Sequence, residues 1–295
     1  MSGFVAWDSR PLSSWGDVRP PGYVVDLGGR RTHFVRKGLG PAVLLIHGFN
    51  LDHNTWLANI DALARHFTVH AVDLWGCGYS TREPLDYGFP LFVRQIRSFM
   101  DHLGLPRADL VGHSMGGGVA IATAAVHPDR IGRLVLVGSV GMARKPTFRE
   151  RFFRLPWLPE LVLGLPVDAI RRRNLLDYWI HDPELLTPEV FAALTGFQKV
   201  AGTNRAALAM LRRDFFGTLD GEIDHLAELA IPTLLVWGRH DRAVPLAIGR
   251  LLHERLPASR LEVFERSSHL PNFDEPDRFN DCVVGFLQSK PRPTA

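Results

Sequence analysis

Cysteine is nearly missing from this chain. Its 295 residues include two, Cys77 and Cys282, too few and too widely spaced for a disulfide framework or a cysteine-based metal site. Neither lies in a histidine spacing suited to zinc. A reducing compartment, and so a cytoplasmic location, is expected. No apolar run is long enough to span a bilayer. The opening "MSGFVAWDSRPLSSWGDVRPPG" lacks a basic start followed by a continuous apolar stretch, and it carries no lipidation motif, so no stable membrane insertion is expected. Charge of one sign is scarce too: 34 Lys and Arg stand against 31 Asp and Glu, a formal +3. The one basic run, Arg171 to Arg173, reads as a solvated helix face rather than a site for an anionic partner. No basic motif with interleaved aromatics suggests nucleic acid, and no internal repeat or low-complexity tract is visible.

What remains is ordinary globular composition, with enough chain for one large core or a core with an inserted subdomain. "GYVVDLGGRRTHFVRKG" reads as two strands joined through Gly28 and Gly29. Six apolar runs follow that suit strands covered on both faces: "AVLLIHG", "TVHAVDLWG", "ADLVGHS", "RLVLVGS", "PTLLVWGRHD" and "SRLEVFE". Between most of them lie helical patterns. Phe92, Val93, Ile96, Phe99, Met100 and Leu103 share one face, ended by Gly104 and Pro106. Phe279, Cys282, Val283, Phe286 and Leu287 form another stripe, begun by Pro276. Such alternation predicts an α/β fold, a mostly parallel twisted sheet with helices on both faces. Its functional residues should sit beyond the C-terminal ends of the strands.

From about Gly141 to Gly217 no strand-like run appears. Asp168 is suited to cap a helix through Ile180, Thr187 with Pro188 to start a second, and Thr203 to Phe216 to form a third. The expected organisation is therefore a core from residues 1–140 and 218–295 with a helical insertion, 141–217. "RFFRLPWLPELVLGLP" at its start is rich in proline and large apolar residues, and suits either a pocket cover or plain packing onto the core.

The chemistry centres on "GHSMG". Gly112 and Gly116 flank Ser114 between a strand and an alanine-rich helix, as expected of a serine raised on a sharp, strained turn. The helix that begins near Met115 directs free N–H groups and its positive dipole end at the same place. A serine hydroxyl needs a base, and the base an orienting carboxylate. His269 and Asp241 each follow a strand, in the chain order Ser, Asp, His; taken singly they could be a loop histidine and a turn aspartate. The backbone N–H groups of Phe49 and Met115 are positioned to meet over an oxyanion. His47, inside the "HG" turn, suits a structural hydrogen-bonding role rather than a second base.

"HGFN", "DLWGCGYS", "GHSMGGG", "WGRHDRAVP" and "SSHLPNFDEP" resemble, in order, the landmarks of the α/β-hydrolase superfamily from about Pro41 to the end of the chain. The likeness is to its lidded branch of esterases, lactonases and carbon–carbon bond hydrolases. The resemblance implies Ser114 as nucleophile, Asp241 as acid, His269 as base and Phe49 and Met115 as oxyanion donors, with a helical cap over residues 141–217 and neither cofactor nor metal. Asp73 matches a position that usually holds a turn.

Serine at the elbow argues against the dehalogenases and epoxide hydrolases of this fold, which use aspartate there. Carbon–carbon hydrolases commonly carry asparagine before the serine and tryptophan after the histidine, where this chain has His113 and Leu270. The expected activity is hydrolysis of a small or medium carboxylic ester, a small-molecule substrate, through an acyl-enzyme, with perhydrolysis a conceivable side activity. The alternatives are a carbon–carbon hydrolase of vinylogous diketones, an interfacial lipase with "FFRLPWLPELVLGLP" as its lid, or a hydrolase-like receptor without catalysis. Monomer and dimer are both open.

Overall fold

The apolar runs become the middle of one sheet because their alternate residues serve two different cores. In the computed structural model, which describes residues 7–13, 22–142, 155, 168–213 and 218–289, Leu44 and Ile46 face one side and Val43 and Leu45 the other. A strand covered on both faces cannot alternate apolar with polar, which is why these segments read as continuous hydrophobic runs. The strands are β1 (Tyr23–Asp26), β2 (Arg31–Lys37), β3 (Ala42–Ile46), β4 (Thr68–Val72), β5 (Ala108–His113), β6 (Ile131–Val137), β7 (Thr233–Gly238) and β8 (Ser259–Phe264). Their order is β1-β2-β4-β3-β5-β6-β7-β8. The β1–β2 hairpin and the β2–β4 pair are antiparallel, and every later pair is parallel. The α/β architecture is thus the one expected.

The longer helices are α1 (Phe89–His102), α2 (Met115–Val126), α3 (Asp168–Tyr178), α4 (Pro188–Thr195), α5 (Thr203–Arg212), α6 (Asp220–Leu229), α7 (Leu246–Arg255) and α8 (Pro276–Gln288). Residues of α1, α2, α6 and α7 cover one face of the sheet, among them Phe92, Ile96, Val119, Ile223 and Leu252. On the other face lie Phe279, Val283 and Leu287 of α8 with Ile60 and Leu63. Both stripes seen in the sequence face the sheet.

Between β6 and β7 the described chain is helical, and it has a small core of its own. Leu175, Ile180, Leu186 and Leu194 pack together with Leu51 and Leu270, which come from loops at the ends of sheet strands. Thr187 caps α4 through its Oγ1, which accepts from the Val190 N–H at 3.3 Å. α3 ends at Tyr178, two residues before the expected Ile180, and α5 at Arg212; residues 214–217 lie outside the described chain, as does "RFFRLPWLPELVLGLP" apart from Leu155.

The basic run on α3 departs from expectation. The Arg171 guanidinium lies 3.9 Å from the Trp7 ring centroid and Arg172 donates to the Leu186 carbonyl at 2.7 Å; only Arg173, 83% exposed in its side chain, is a solvated surface charge. Two of the three arginines are tied inward because planar guanidinium groups stack and fork where a lysine would stay hydrated. No described helix is long and apolar enough to cross a membrane.

Candidate active site

Ser114 is the joint between β5 and α2, and its backbone is strained: φ is +52° and ψ −115°, a region that a residue with a side chain enters at a cost of order 1–3 kcal/mol. The packing around it imposes the strain. A Cβ at Gly112 would stand 2.3 Å from the Gly116 carbonyl, and one at Gly116 would stand 2.2 Å from the Ile46 carbonyl. Only bare backbone lets the turn press against the end of β3. The Ser114 carbonyl accepts from Gly117 and Gly118 N–H groups, which leaves the amides of the first helical residues, Met115 among them, outside the helical ladder.

The end of β3 supplies the facing loop. His47 Nδ1–H donates to the Gly48 carbonyl at 2.7 Å and its Nε2 accepts from the Leu74 N–H at 2.9 Å, so both nitrogens are committed to holding backbone. Burial lowers its pKa and keeps the ring neutral. Gly48 lies against Ser114 and His113: a Cβ there would meet His113 Nδ1 at 2.6 Å and Ser114 Cβ at 3.2 Å. Phe49 follows, half-buried, and then Asn50 at φ +52°.

Asp241 and His269 follow β7 and β8, and the structure brings them together. His269 Nδ1 lies 2.7 Å from Asp241 Oδ2, both side chains at most 2% exposed. The other oxygen, Oδ1, accepts from the Ala243 N–H at 2.9 Å and the Val244 N–H at 2.8 Å. A carboxylate only accepts, so the ring proton sits on Nδ1 and Nε2 keeps its lone pair. His113 completes the arrangement. Its Nε2–H donates to the His269 carbonyl at 2.9 Å, and the two rings stand 4.7 Å apart. Burial, with the neighbouring His269, holds the His113 pKa well below the ordinary histidine value, so it is a neutral support. Ser114 thus lies next in sequence to a side chain that touches the His269 loop. No hydrogen bond within 3.5 Å joins its Oγ to the imidazole among the described residues; such contacts are often long in unliganded sites and tighten with substrate.

Three contributors had no signature in the sequence. Gly138, at the end of β6, leaves room for the pair, since a Cβ there would stand 3.0 Å from His269 Nδ1 and 3.1 Å from Asp241 Oδ2. Trp179 sets its indole edge-on to the His269 ring, 5.6 Å between centroids at 89°. Asp274 bridges the His269 loop and the segment after α3. Only its place in "HLPNFDEP", one turn past the histidine, could have drawn attention to it.

Asp73 lies in a buried group with His33 and His53, the one cluster of metal-ligating types among the described residues. Its carboxylate is already full. It accepts from the His53 N–H at 2.8 Å, the Tyr79 N–H at 2.9 Å, His33 Nδ1 at 2.8 Å and His53 Nδ1 at 3.0 Å. Four N–H donors, one from Tyr79 within the loop 73–80, one from His33 on β2 and two from His53 after β3, gather these segments around one charge, which is turn-holding rather than ligation.

A family model described as alpha/beta hydrolase fold matches residues 41–276, and the chain belongs to that family. Among curated proteins it is 31% identical to a 2-hydroxy-6-oxo-2,4-heptadienoate hydrolase of Pseudomonas putida over 91% of this chain and 97% of that one. Among solved structures it is similar to a meta-cleavage product hydrolase from Pseudomonas fluorescens, 30% identical with a TM-score of 0.78, covering 90% of this chain and 97% of that one. A thermophilic esterase from Thermogutta terrifontis is 27% identical, with a TM-score of 0.75 and coverage of 90% and 96%.

Proposed function

We propose that the protein is a serine hydrolase that cleaves a small or medium carboxylic ester through an acyl-enzyme on Ser114, beneath a cap formed by residues 141–217. The observation that carries this reading is the buried 2.7 Å pair of His269 and Asp241 at the strand ends beside a serine at φ +52°. In the first half-reaction His269 Nε2 takes the hydroxyl proton as Ser114 Oγ adds to the ester carbonyl. The backbone N–H groups of Phe49 and Met115 hold the oxyanion, and collapse of the intermediate expels the alcohol, which takes the proton from Nε2. Water, deprotonated by the same ring, then adds to the acyl-enzyme and releases the acid and free Ser114. Asp241 fixes the tautomer and stabilises the imidazolium between proton transfers.

Ester specificity draws support from the residue after the base. Leu270 is fully buried in the apolar cluster of Leu51, Leu175 and Ile180, so this position anchors the cap and offers no group to substrate. Carbon–carbon cleavage of a vinylogous diketone is the second reading, favoured by the names of the relatives, and it would use the same three residues. An aryl-ester panel of graded acyl length run beside a vinylogous diketone separates the two. Ester turnover should dominate, and Ser114→Ala should reduce it by at least about 10³-fold with unchanged circular dichroism. A Ser114→Ala variant with full ester turnover would overturn both readings; preferred cleavage of the diketone would leave the second.

A further inference from the structure

The loop that carries His269 is tied on both sides of that residue to one short stretch, 178–181, at the end of α3. Before it, the Ser268 Oγ–H is shared between the Tyr178 and His240 carbonyls, each 3.2 Å from Oγ. After it, the Leu270 N–H donates to the Trp179 carbonyl at 3.0 Å. Asp274 is the side chain that joins the two strands of this contact: Oδ2 accepts from the Ser268 N–H at 2.8 Å and Oδ1 from the His181 N–H at 2.9 Å. The neighbouring acid turn is drawn in as well, since the His181 and His240 rings stack at 4.5 Å and 12°. Between these ties Trp179 stands against the base itself.

We infer that Asp274 is a positioning residue: it locks the His269 loop to the segment 178–181, so that the base is held for proton transfer only while that segment is seated. The inference rests on the proposed role of His269 as base. Its physical content is that one carboxylate satisfies two backbone N–H groups from parts of the chain 87 positions apart in sequence, one on each body. Hydrogen bonds to a charged acceptor are stronger and shorter than neutral ones, so the carboxylate form is the locking form. Burial pushes the Asp274 carboxyl up to about 6, with Glu275 and Asp182 acting in the same direction and the two N–H bonds against it. The other titratable groups facing it are His181 and, through the ring stack, His240. Protonation turns one acceptor into an O–H donor facing an N–H, and one arm of the lock opens.

The test compares wild type, Ser114→Ala and Asp274→Asn on p-nitrophenyl butyrate, with active sites counted by fluorophosphonate labelling. Asp274→Asn keeps one acceptor and sets an NH2 group against the other N–H. Its kcat per labelled site should fall by about 10- to 100-fold, the scale set by small misplacement of a reacting group. The acid limb of wild-type kcat/KM should steepen beyond one proton near pH 6, and in Asp274→Asn it should return to one. Hydrogen exchange supplies the measurement that survives a poorly folding variant. In wild type, protection of the Leu270 and His181 amides, corrected for intrinsic pH effects, should drop below pH 6 while β7 stays protected.

Full kcat per labelled site in Asp274→Asn, or amide protection at Leu270 and His181 that is unchanged across pH 6, would overturn the lock while leaving the serine mechanism standing. A Ser114→Ala variant that keeps full turnover would instead remove the reading on which the lock rests.

Discussion

Asp241 offers its two carboxylate oxygens to different tasks, and that division sets what a single substitution does. Oδ1 is held by the amides of Ala243 and Val244, and Oδ2 receives the His269 proton. In Asp241→Asn the amide oxygen keeps the two backbone donors, so the NH2 group turns towards Nδ1. The ring must then carry its proton on Nε2, the atom that accepts one from Ser114 in the proposed mechanism. Ester kcat should fall by roughly 10³- to 10⁴-fold with a melting temperature within a few degrees of wild type; a loss below tenfold would refute the assigned tautomer. The Asp73 group makes a residue-scale prediction about stability. Burial disfavours a charged His53, yet the Asp73 and Asp52 charges raise its pKa to about 9. Against Asp73 burial is again opposed, by the rings of His53 and His33, and its pKa is held well below the carboxylate range. A histidine whose folded pKa lies above its unfolded value of about 6.5 contributes fully below that pH, and the contribution fades as pH rises towards 9. Urea unfolding should therefore show stability falling between pH 6.5 and 9 by on the order of 3 kcal/mol more in wild type than in His53→Gln. Parallel pH profiles would show that His53 is not charged in the fold.

At the scale of elements, the strand ends act as a template whose glycines decide how near the loops of the proposed site come. Gly138 (φ +50°) and Gly28 (φ +65°) share a backbone that side chains disfavour, but a Cβ at Gly28 would meet nothing within 4 Å, whereas one at Gly138 would press on His269 and Asp241. Alanine at either position should cost about 1–2 kcal/mol of stability. Only Gly138→Ala should lower ester kcat, by about tenfold or more, so equal kinetics in the two variants would deny Gly138 any part in spacing the pair. The strands, the elbow and the order of the three side chains were legible in the sequence because each rests on a local rule: two-sided burial gives continuous apolar runs, and a strand-to-helix turn demands small neighbours. Gly138 was hidden because its contact is with residues over a hundred positions away. Trp179 and Asp274 were hidden in the same way, since Trp179 meets His269 and Asp274 meets His181 across long stretches of chain, and the inward turn of Arg171 depends on Trp7, whose stretch at the start of the chain offered no periodicity to read.

For the molecule as a whole, the helical segment 168–213 is held at several separated places. Ala206 and Met210 of α5 pack into the core on one face of the sheet, and Arg82 donates to Thr203 Oγ1 at 2.8 Å. A further hold is a strap formed by residues 7–13. The Asp8 N–H donates to the Gln198 carbonyl, the Ser9 and Arg10 N–H groups to the Lys199 carbonyl, and Arg10 returns its own carbonyl to the Ala201 N–H. Trp7, 6% exposed, packs beneath Arg171 at 3.9 Å and Lys199 at 5.4 Å, and its Nε1–H donates to Asp168 Oδ1 at 3.1 Å. The strap thus joins the start of α3 to the turn before α5, while the lock at 178–181 joins the end of α3 to the His269 loop. Trp7→Ala removes buried aromatic surface and two cation–π contacts, for a loss of about 2–4 kcal/mol, and for a chain of this size a drop of several degrees in melting temperature. Because the hydrogen bond and the two cation–π contacts of Trp7 all go to the helical segment, the loss of hydrogen-exchange protection should be confined to α3 and α5, with β5 to β7 unaffected. Ester kcat should change less than in Asp274→Asn, since the lock beside His269 stays closed. Loss of protection spread evenly over sheet and helices would mean that the strap stabilises the protein as one cooperative unit, and that the segment has no independent hold at its far end.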